Sequence, residues 1–134
     1  MKILIFLFLI NLHSIFSQGS VMMVGGGGEN YNAWSDEPYG WFVEKAGYGK
    51  IINIDVDESS DWYPSYFVSL GANIPSHNLQ IATEADANSF TIYQELLSAN
   101  GIFIEGGDQW DYVSTWKNTY VQTAIQTIYE NGGV

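Results

Sequence analysis

Two glycine-rich turns, each directly after a short apolar run, are the segments of this chain best suited to contact a ligand. The first, Gly25–Gly28, follows Val21–Val24, and the second is Gly106–Gln109. Glycine has no Cβ, so its backbone N–H can approach a bound group closely. Either turn could also be only a tight connection from a strand to a helix. The second carries more weight because it adds the polar side chains of Asp108 and Gln109.

Apolar runs alternate with amphipathic stretches along the chain, and this alternation predicts the elements that position the two turns. The clearest helix has apolar residues at i, i+3, i+4, i+7 and i+8 from Val121. Strands that are apolar throughout and alternate with helices imply a parallel sheet covered on both faces, with ligands at the carboxyl ends of the strands. We therefore predict a three-layer α/β fold with a mostly parallel sheet. The predicted strands are 21–24, 51–54, 78–81 and 102–104, and the predicted helices are 38–46, 62–70, 90–97 and 121–129.

The end of the chain carries the start of a further element. The last predicted helix stops at Asn131-Gly132-Gly133, and Val134 is predicted to begin a fifth strand. We therefore expect the chain to belong to a longer parent protein. Without the rest of that strand a central sheet edge stays open, which invites aggregation or pairing with a second copy as a homodimer.

The first 17 residues predict an export signal. Lys2 is followed by the apolar run Ile3–Ile10, which is too short to span a bilayer, and Ser17 suits a cleavage site. A buried strand or helix at the N-terminus is the alternative. We predict a signal peptide over 1–17, a domain over 18–134, a periplasmic or extracellular location, and no membrane attachment once the signal is removed.

Composition excludes several classes of function. Fifteen acidic residues face four basic ones, for a net charge of −11, so no basic surface exists to neutralise nucleic-acid phosphates. The chain has no Cys, which rules out disulfides, Cys nucleophiles and thiolate metal sites. Neither a cofactor nor a metal is predicted.

The stretch Gly101–Gln109 resembles the segment before the nucleophile in cyanophycinase-type serine peptidases, which are relatives of dipeptidase E. In that family a strand ends in a Gly-Gly-Asp-Gln or similar turn, and a helix and a Gly-Gly pair follow. A strand then runs into a Gly-x-Ser-Ala-Gly nucleophile elbow. Here the pair is Gly132-Gly133, and the sequence ends at Val134. The turn at Gly25–Gly28 and the strand within Lys50–Asp55 fit the same pattern. The resemblance covers the domain after residue 17 and the first half of the family domain.

The resemblance implies a flavodoxin-like fold similar to class I glutamine amidotransferases. It also implies hydrolysis of aspartyl or β-aspartyl peptide bonds by acyl transfer through a Ser nucleophile with a His base. The backbone at Gly106 and Gly107 would form part of the oxyanion hole, and Asp108 and Gln109 would lie at the substrate site. Asp108 could equally cap the following helix.

The chain departs from the family pattern at the catalytic residues. Gly-x-Ser-x-Gly does not occur in it, and His77 is the one His after the signal. We predict His77 to be an ordinary exposed residue on a loop. The nucleophile and its base are therefore expected beyond Val134, and the chain alone is expected to be inactive.

The sequence suggests three other functions besides a serine peptidase. Gly25–Gly28 imitates a dinucleotide-binding turn but lacks Gly-x-Gly-x-x-Gly, and its helix starts too late. The acidic stretch Asp55–Glu58 with Asp61 does not match a calcium loop and is predicted to be a solvated turn. A non-catalytic peptide- or glycan-binding module stays open as the alternative, since an aromatic loop could stack on sugars. That loop contains Tyr31, Trp34, Tyr39 and Trp41.

Overall fold

Three parallel strands form the sheet in the computed structural model, which describes residues 18–25, 28–57 and 60–134. The central strand is β1 (Lys50–Asp55), with β2 (Asn73–Gln80) on one side and β3 (Gly101–Ile104) on the other. The predicted signal peptide lies outside the described residues. In those that are described, no helix is both long enough and apolar enough to cross a membrane.

Helices cover both faces of the sheet, which confirms the predicted three-layer α/β architecture. Two of them pack on one face, and the others lie on the opposite face. The first pair is α1 (Asp36–Lys45) and α2 (Trp62–Ser69), and the second group is α3 (Glu84–Ala87), α4 (Phe90–Leu97), α5 (Gln109–Trp116) and α6 (Tyr120–Glu130).

Alternation along β1 divides the interior into two cores, because successive side chains of a strand point to opposite faces. Ile51 packs with the aromatic residues of α1 and α2, whereas Ile52 and Ile54 pack with aliphatic residues of α4 and α6. Phe103 of β3 lies in the aromatic core, where its ring centroid is 5.2 Å from that of Phe67. Burial on both faces therefore explains why Ile51, Ile52 and Ile54 of β1 are all apolar.

Two of the strand predictions were wrong in part. Residues 21–24 form no strand. The backbone hydrogen bonds of the N-terminal segment are made just before them, where the N–H groups of Gly19 and Ser20 donate to the carbonyls of Tyr129 and Gly133. The third strand begins at Asn73 rather than Asn78, so His77 lies within β2 and not on a loop. Its ring is half-buried.

Two helices were not predicted from the apolar pattern, the four-residue α3 and the longer α5. The α5 helix begins directly after the second glycine turn, and Trp116 is its one buried residue. Trp116 Nε1 donates a 2.9 Å hydrogen bond to the Ile81 carbonyl in the aliphatic core. A helix that buries a single side chain shows no apolar periodicity, so the pattern used for prediction was missing. The strong pattern from Val121 is confirmed as α6.

Adjacent leucines of α4 provide a test of the packing. Leu96 is fully buried in the aliphatic core, whereas Leu97 is exposed. We expect Leu96→Ala to lower the free energy of unfolding by about 2–5 kcal/mol, because a cavity is left in the core. The Leu97→Ala control should change it by less than about 1 kcal/mol. Urea unfolding measures both, and equal losses would contradict the orientation of α4.

Candidate functional site

A groove of about 860 Å³ runs along the free edge of β3. The N-terminal segment (residues 18–25) lines the groove opposite β3, and α6 forms a further wall. We call it the edge groove. The residues that line it include Ile102, Phe103, Ile104, Met22, Ile125 and Tyr129. It therefore lies at the position where ligands bind in open parallel sheets, beside and beyond the carboxyl end of a strand.

The second glycine turn lies on the wall of the edge groove. Gly106, Gly107 and Gln109 line it, as expected from the sequence. Within the described residues, neither the Gly106 N–H nor the Gly107 N–H has a hydrogen-bond partner. A Cβ at Gly107 would lie 3.0 Å from Cε2 of Tyr112, which is too close for a side chain without movement of that ring. A side chain at position 107 would therefore require the Tyr112 ring to shift by a few tenths of an ångström. The two amide donors of the turn are left available to a ligand.

Asp108 lies directly before the first residue of α5. Its Oδ1 accepts a 2.8 Å hydrogen bond from the Trp110 N–H, which makes Asp108 the N-cap of α5. The structure therefore supports the capping alternative for this residue. Gln109, at the first position of α5, is exposed and faces the groove.

Carboxylates lie at the ends of both β1 and β3. Asp55 ends β1, and Glu105 follows β3 and lines the edge groove. Glu105 accepts from Asn53 Nδ2, and the same amide donates to Asn78 Oδ1 at 2.9 Å. Asp55 Oδ1 accepts from the Tyr112 hydroxyl at 3.1 Å. Asn78, Asn53 and Glu105 form a row of polar groups across the sheet, and Glu105 directly precedes the glycine turn.

A second carboxylate reaches the groove from the loop after the first glycine turn. Glu29 accepts a 2.7 Å hydrogen bond from the Tyr39 hydroxyl and a 3.0 Å hydrogen bond from the Tyr63 hydroxyl. Tyr39 is fully buried on α1 and Tyr63 belongs to α2. Glu29 is consequently anchored to both helices of the aromatic core, although its own loop has no regular structure.

The two charged side chains that line the groove, Glu29 and Glu105, are both acidic. Burial raises the pKa of Glu105, the neighbouring charges of Asp55 and Glu29 raise it further, and the hydrogen bond from Asn53 opposes the rise. Burial, together with the charge of Asp55, also raises the pKa of Tyr112. No Lys, Arg or His appears among the described residues that line the groove. The site therefore favours groups that donate hydrogen bonds or carry positive charge.

Several of these residues were not singled out from the sequence. Glu105 directly precedes the glycine turn and could have been found from its place at a strand end. Glu29 and its two tyrosines are separated by 10 and 34 positions, so no local pattern connects them. Asn53 sits in an otherwise apolar strand, and a polar residue there is the one signal that the sequence offered.

The acidic stretch after β1 differs from its prediction in one residue: Asp57 and Asp61 are exposed as predicted, and Asp55 is not. Asp55 is 5% exposed and bonded to Tyr112 and to the Asp57 N–H, so it is buried rather than solvated. Glu58 lies outside the described residues. In the described parts of the chain, no three Asp, Glu or His side chains cluster as a metal site would require.

The remaining sequence candidates lie away from the groove, except for Tyr39, which lines it. His77 Nε2 is 3.5 Å from Glu95 Oε1, on the outer strand of the sheet. The predicted aromatic loop is divided: Tyr39 belongs to the core, whereas Tyr31 and Trp34 are about half exposed. The Tyr31 ring lies 4.9 Å from that of Tyr66 and covers the core from outside.

Removing the cap of α5 should be measurable. We expect Asp108→Ala to lower the free energy of unfolding by about 1 kcal/mol, because the Trp110 N–H loses its acceptor. Asp108→Asn keeps an oxygen at that place and should retain most of the stability. Urea unfolding of the two variants measures the difference, and an Asn variant as unstable as the Ala variant would contradict the capping role.

The raised pKa of Glu105 predicts a pH-dependent effect on stability. The folded state holds the proton more tightly than the unfolded state, so the contribution of Glu105 is full below the ordinary carboxyl pKa of about 4.3. It is lost as pH rises through the raised pKa. Glu105→Gln should therefore raise the urea midpoint at pH 7 and raise it less at pH 4. A larger gain at pH 4 would contradict this sign.

The control for that variant is Glu37→Gln, on the exposed surface of the first turn of α1. A negative charge near a helix N-terminus is favourable. Removing the charge of Glu37 should not raise the midpoint at pH 7.

The fold is similar to that of a peptidase from an acI-B1 Actinobacterium, known from its crystal structure. The TM-score is 0.60 and the sequence identity is 20%. The match covers 80% of this chain and 49% of the actinobacterial peptidase, so the chain spans about half the length of that protein. No protein-family model and no curated protein sequence matches the chain. The likeness therefore establishes that the chain shares the fold of this peptidase over most of its length.

Proposed function

We propose that the chain is the N-terminal part of an exported, cyanophycinase-like serine peptidase whose nucleophile and base lie beyond Val134. The observation that carries the proposal is the glycine turn at the end of β3, with two free amide donors on the wall of the edge groove. The sequence resemblance of Gly101–Gln109 and the fold shared with a peptidase, of which the match covers 49%, support it.

In the proposed reaction the nucleophilic Ser attacks the carbonyl carbon of the scissile bond, and the His base takes the hydroxyl proton. The carbonyl oxygen gains negative charge and accepts from the Gly106 and Gly107 N–H groups. The C–N bond then breaks, and the leaving amine takes the proton from the His. Water releases the acyl group in a second step of the same form. Preorganised donors of this kind are worth about 2.7–4 kcal/mol each in other acyl-transfer enzymes.

Gln109 is the residue of this chain that we propose to contact the substrate. It lines the groove two residues after Gly107, and its side chain offers both a donor and an acceptor to a peptide group. Asp108, which is engaged as a cap, positions α5 and with it Gln109.

The substrate class that we propose is a short aspartyl or β-aspartyl peptide. Of the charged groups of such a peptide, the amino group suits the acidic end of the groove, where Glu29 and Glu105 lie. Its carboxylates would be repelled there and would have to point away from the strand ends.

A non-catalytic binding module is the second candidate. Exposed aromatic rings at Tyr31 and Trp34 favour it, since such rings can stack on sugars. A parent protein in which the nucleophile has been lost would also belong to this class. The two candidates differ in whether the parent forms a covalent acyl-enzyme.

Activity tests the proposal. The parent protein should hydrolyse β-Asp-Leu and react with a fluorophosphonate probe, whereas the 134-residue chain should do neither. Gln109→Ala in the parent should lower kcat/KM about tenfold, the equivalent of one lost hydrogen bond to the substrate. Gln94→Ala, exposed on α4, is the matched control and should keep full activity.

Two results would overturn the proposal. A parent that binds the dipeptide without turnover and without probe labelling is a binding module. Equal activity of the Gln109 and Gln94 variants would show that Gln109 has no role at the substrate.

A further inference from the structure

A smaller pocket adjoins the edge groove, between α5 and α6. Its volume is about 300 Å³, and we call it the α5–α6 pocket. Tyr112 and Val113 of α5 line both this pocket and the edge groove, and so do Ile125 and Gln126 of α6. Because the same side chains border both cavities, a ligand that lies at the glycine turn can extend directly into the pocket.

The pocket has apolar walls and a firmly held base. Trp116 and Val113 line it, and Val113 is 47% exposed, so its side chain is open to a ligand. In the loop that joins α5 to α6, the Asn118 N–H donates to Gln122 Oε1 at 2.6 Å. The Thr119 hydroxyl donates to the Trp116 carbonyl, also at 2.6 Å. These two hydrogen bonds fix the loop to both helices.

Lys117 is the one cation among the described residues that line either cavity. The other two lysines after residue 17 are engaged elsewhere. Lys50 pairs with Glu95, and Lys45 Nζ lies 5.7 Å from the centre of the Trp41 ring. In the described parts of the chain, no carboxylate lies within ion-pair distance of Lys117. Its charge is therefore open to an anion from outside the chain.

Charge changes sign along the combined cavity. Glu29 and Glu105 lie in the edge groove, whereas Lys117 follows the last residue of α5, at the end away from the glycine turn. A peptide has the same polarity, since it carries an ammonium at one terminus and a carboxylate at the other. A peptide with its amino group at the two glutamates therefore places its carboxyl terminus towards Lys117.

The length of α5 sets the length of peptide that reaches the lysine. The helix has eight residues, Gln109–Trp116, and begins directly after the turn. At about 1.5 Å per residue it rises about 12 Å from the turn to Lys117. An extended peptide covers at most about 3.6 Å per residue, so about three residues span that distance.

We propose that the α5–α6 pocket binds the C-terminal residue of the peptide substrate, about three residues after the scissile bond. The apolar side chain of that residue packs against Val113, Trp116 and Ile125, and its carboxylate pairs with Lys117. The inference rests on the proposed function, because the scissile carbonyl is taken to lie at the glycine turn. It narrows the substrate class to short peptides that have a free carboxyl terminus and an apolar last residue.

Binding to the 134-residue chain tests the pocket without any reaction, because all of the lining residues belong to that chain. The probe is the peptide Asp-Ala-Ala-Leu, compared with the same peptide carrying a C-terminal amide, and NMR titration gives each Kd. The variant is Lys117→Gln. The matched control is Lys45→Gln on α1, which removes the same charge on the opposite face of the sheet.

The free acid should bind about two- to fivefold more tightly than the amide, which is the range expected of an exposed ion pair. Lys117→Gln should abolish this preference, and Lys45→Gln should retain it. Replacing the last Leu of the probe by Ala should weaken binding about fivefold, because apolar contact is lost.

Equal Kd values for acid and amide would overturn the proposal, as would the same loss of preference in both lysine variants or no binding at millimolar peptide. In the parent protein the preference should appear in KM. A parent with one KM for acid and amide, while the chain still discriminates, would show that another segment fills the pocket, and would also overturn it. A parent that hydrolyses no peptide would instead contradict the proposed reaction and leave the Kd difference of the chain standing.

Discussion

The constraint on which this structure depends is that a buried parallel strand needs hydrogen-bond partners on both edges. β1 meets it, with β2 on one side and β3 on the other, and it is buried on both faces. β3 meets it on the β1 side and, on the opposite side, over the single residue Val134. The edge groove begins where this pairing stops. The N-terminal segment lies beyond the groove and does not pair with β3.

The same edge places the chemistry. The turn after β3 is held by Tyr112 packed against Gly107 and by Asp108 capping α5, so its two free amides have a fixed support. Three carboxylates surround the strand ends, each satisfied by tyrosine hydroxyls or an asparagine amide. A site of this kind combines two amide donors on a supported turn with an acidic end that suits a cationic group. A serine nucleophile delivered by the next strand of the sheet would complete it.

Much of this arrangement could be predicted from the sequence, because its signals are local. The apolar run of β1, the periodicity of α6 and the glycine turn at the end of β3 each lie within about ten residues. The rule that ligands bind at strand ends predicts a site at Gly106, Gly107 and Gln109. These three residues line one groove.

The failures share a physical origin in distant partners. Residues 21–24 have strand composition, yet a strand exists only where another backbone lies beside it. The sequence predicts Asp55 in a solvated turn, but Tyr112, which is 57 residues away, donates a hydrogen bond to it and covers it. Glu29 gains its place from two helices that the sequence does not mark as its neighbours.

The measurement that tests the central claim most directly is a crystal structure of the parent protein with a peptide aldehyde bound. The account predicts a hemiacetal oxygen about 2.7–3.1 Å from the Gly106 and Gly107 nitrogens. It also predicts that the hemiacetal is formed by a Ser that lies beyond Val134 in the parent protein. An aldehyde bound elsewhere, or an oxygen held by other donors while these two amides face away, would contradict it.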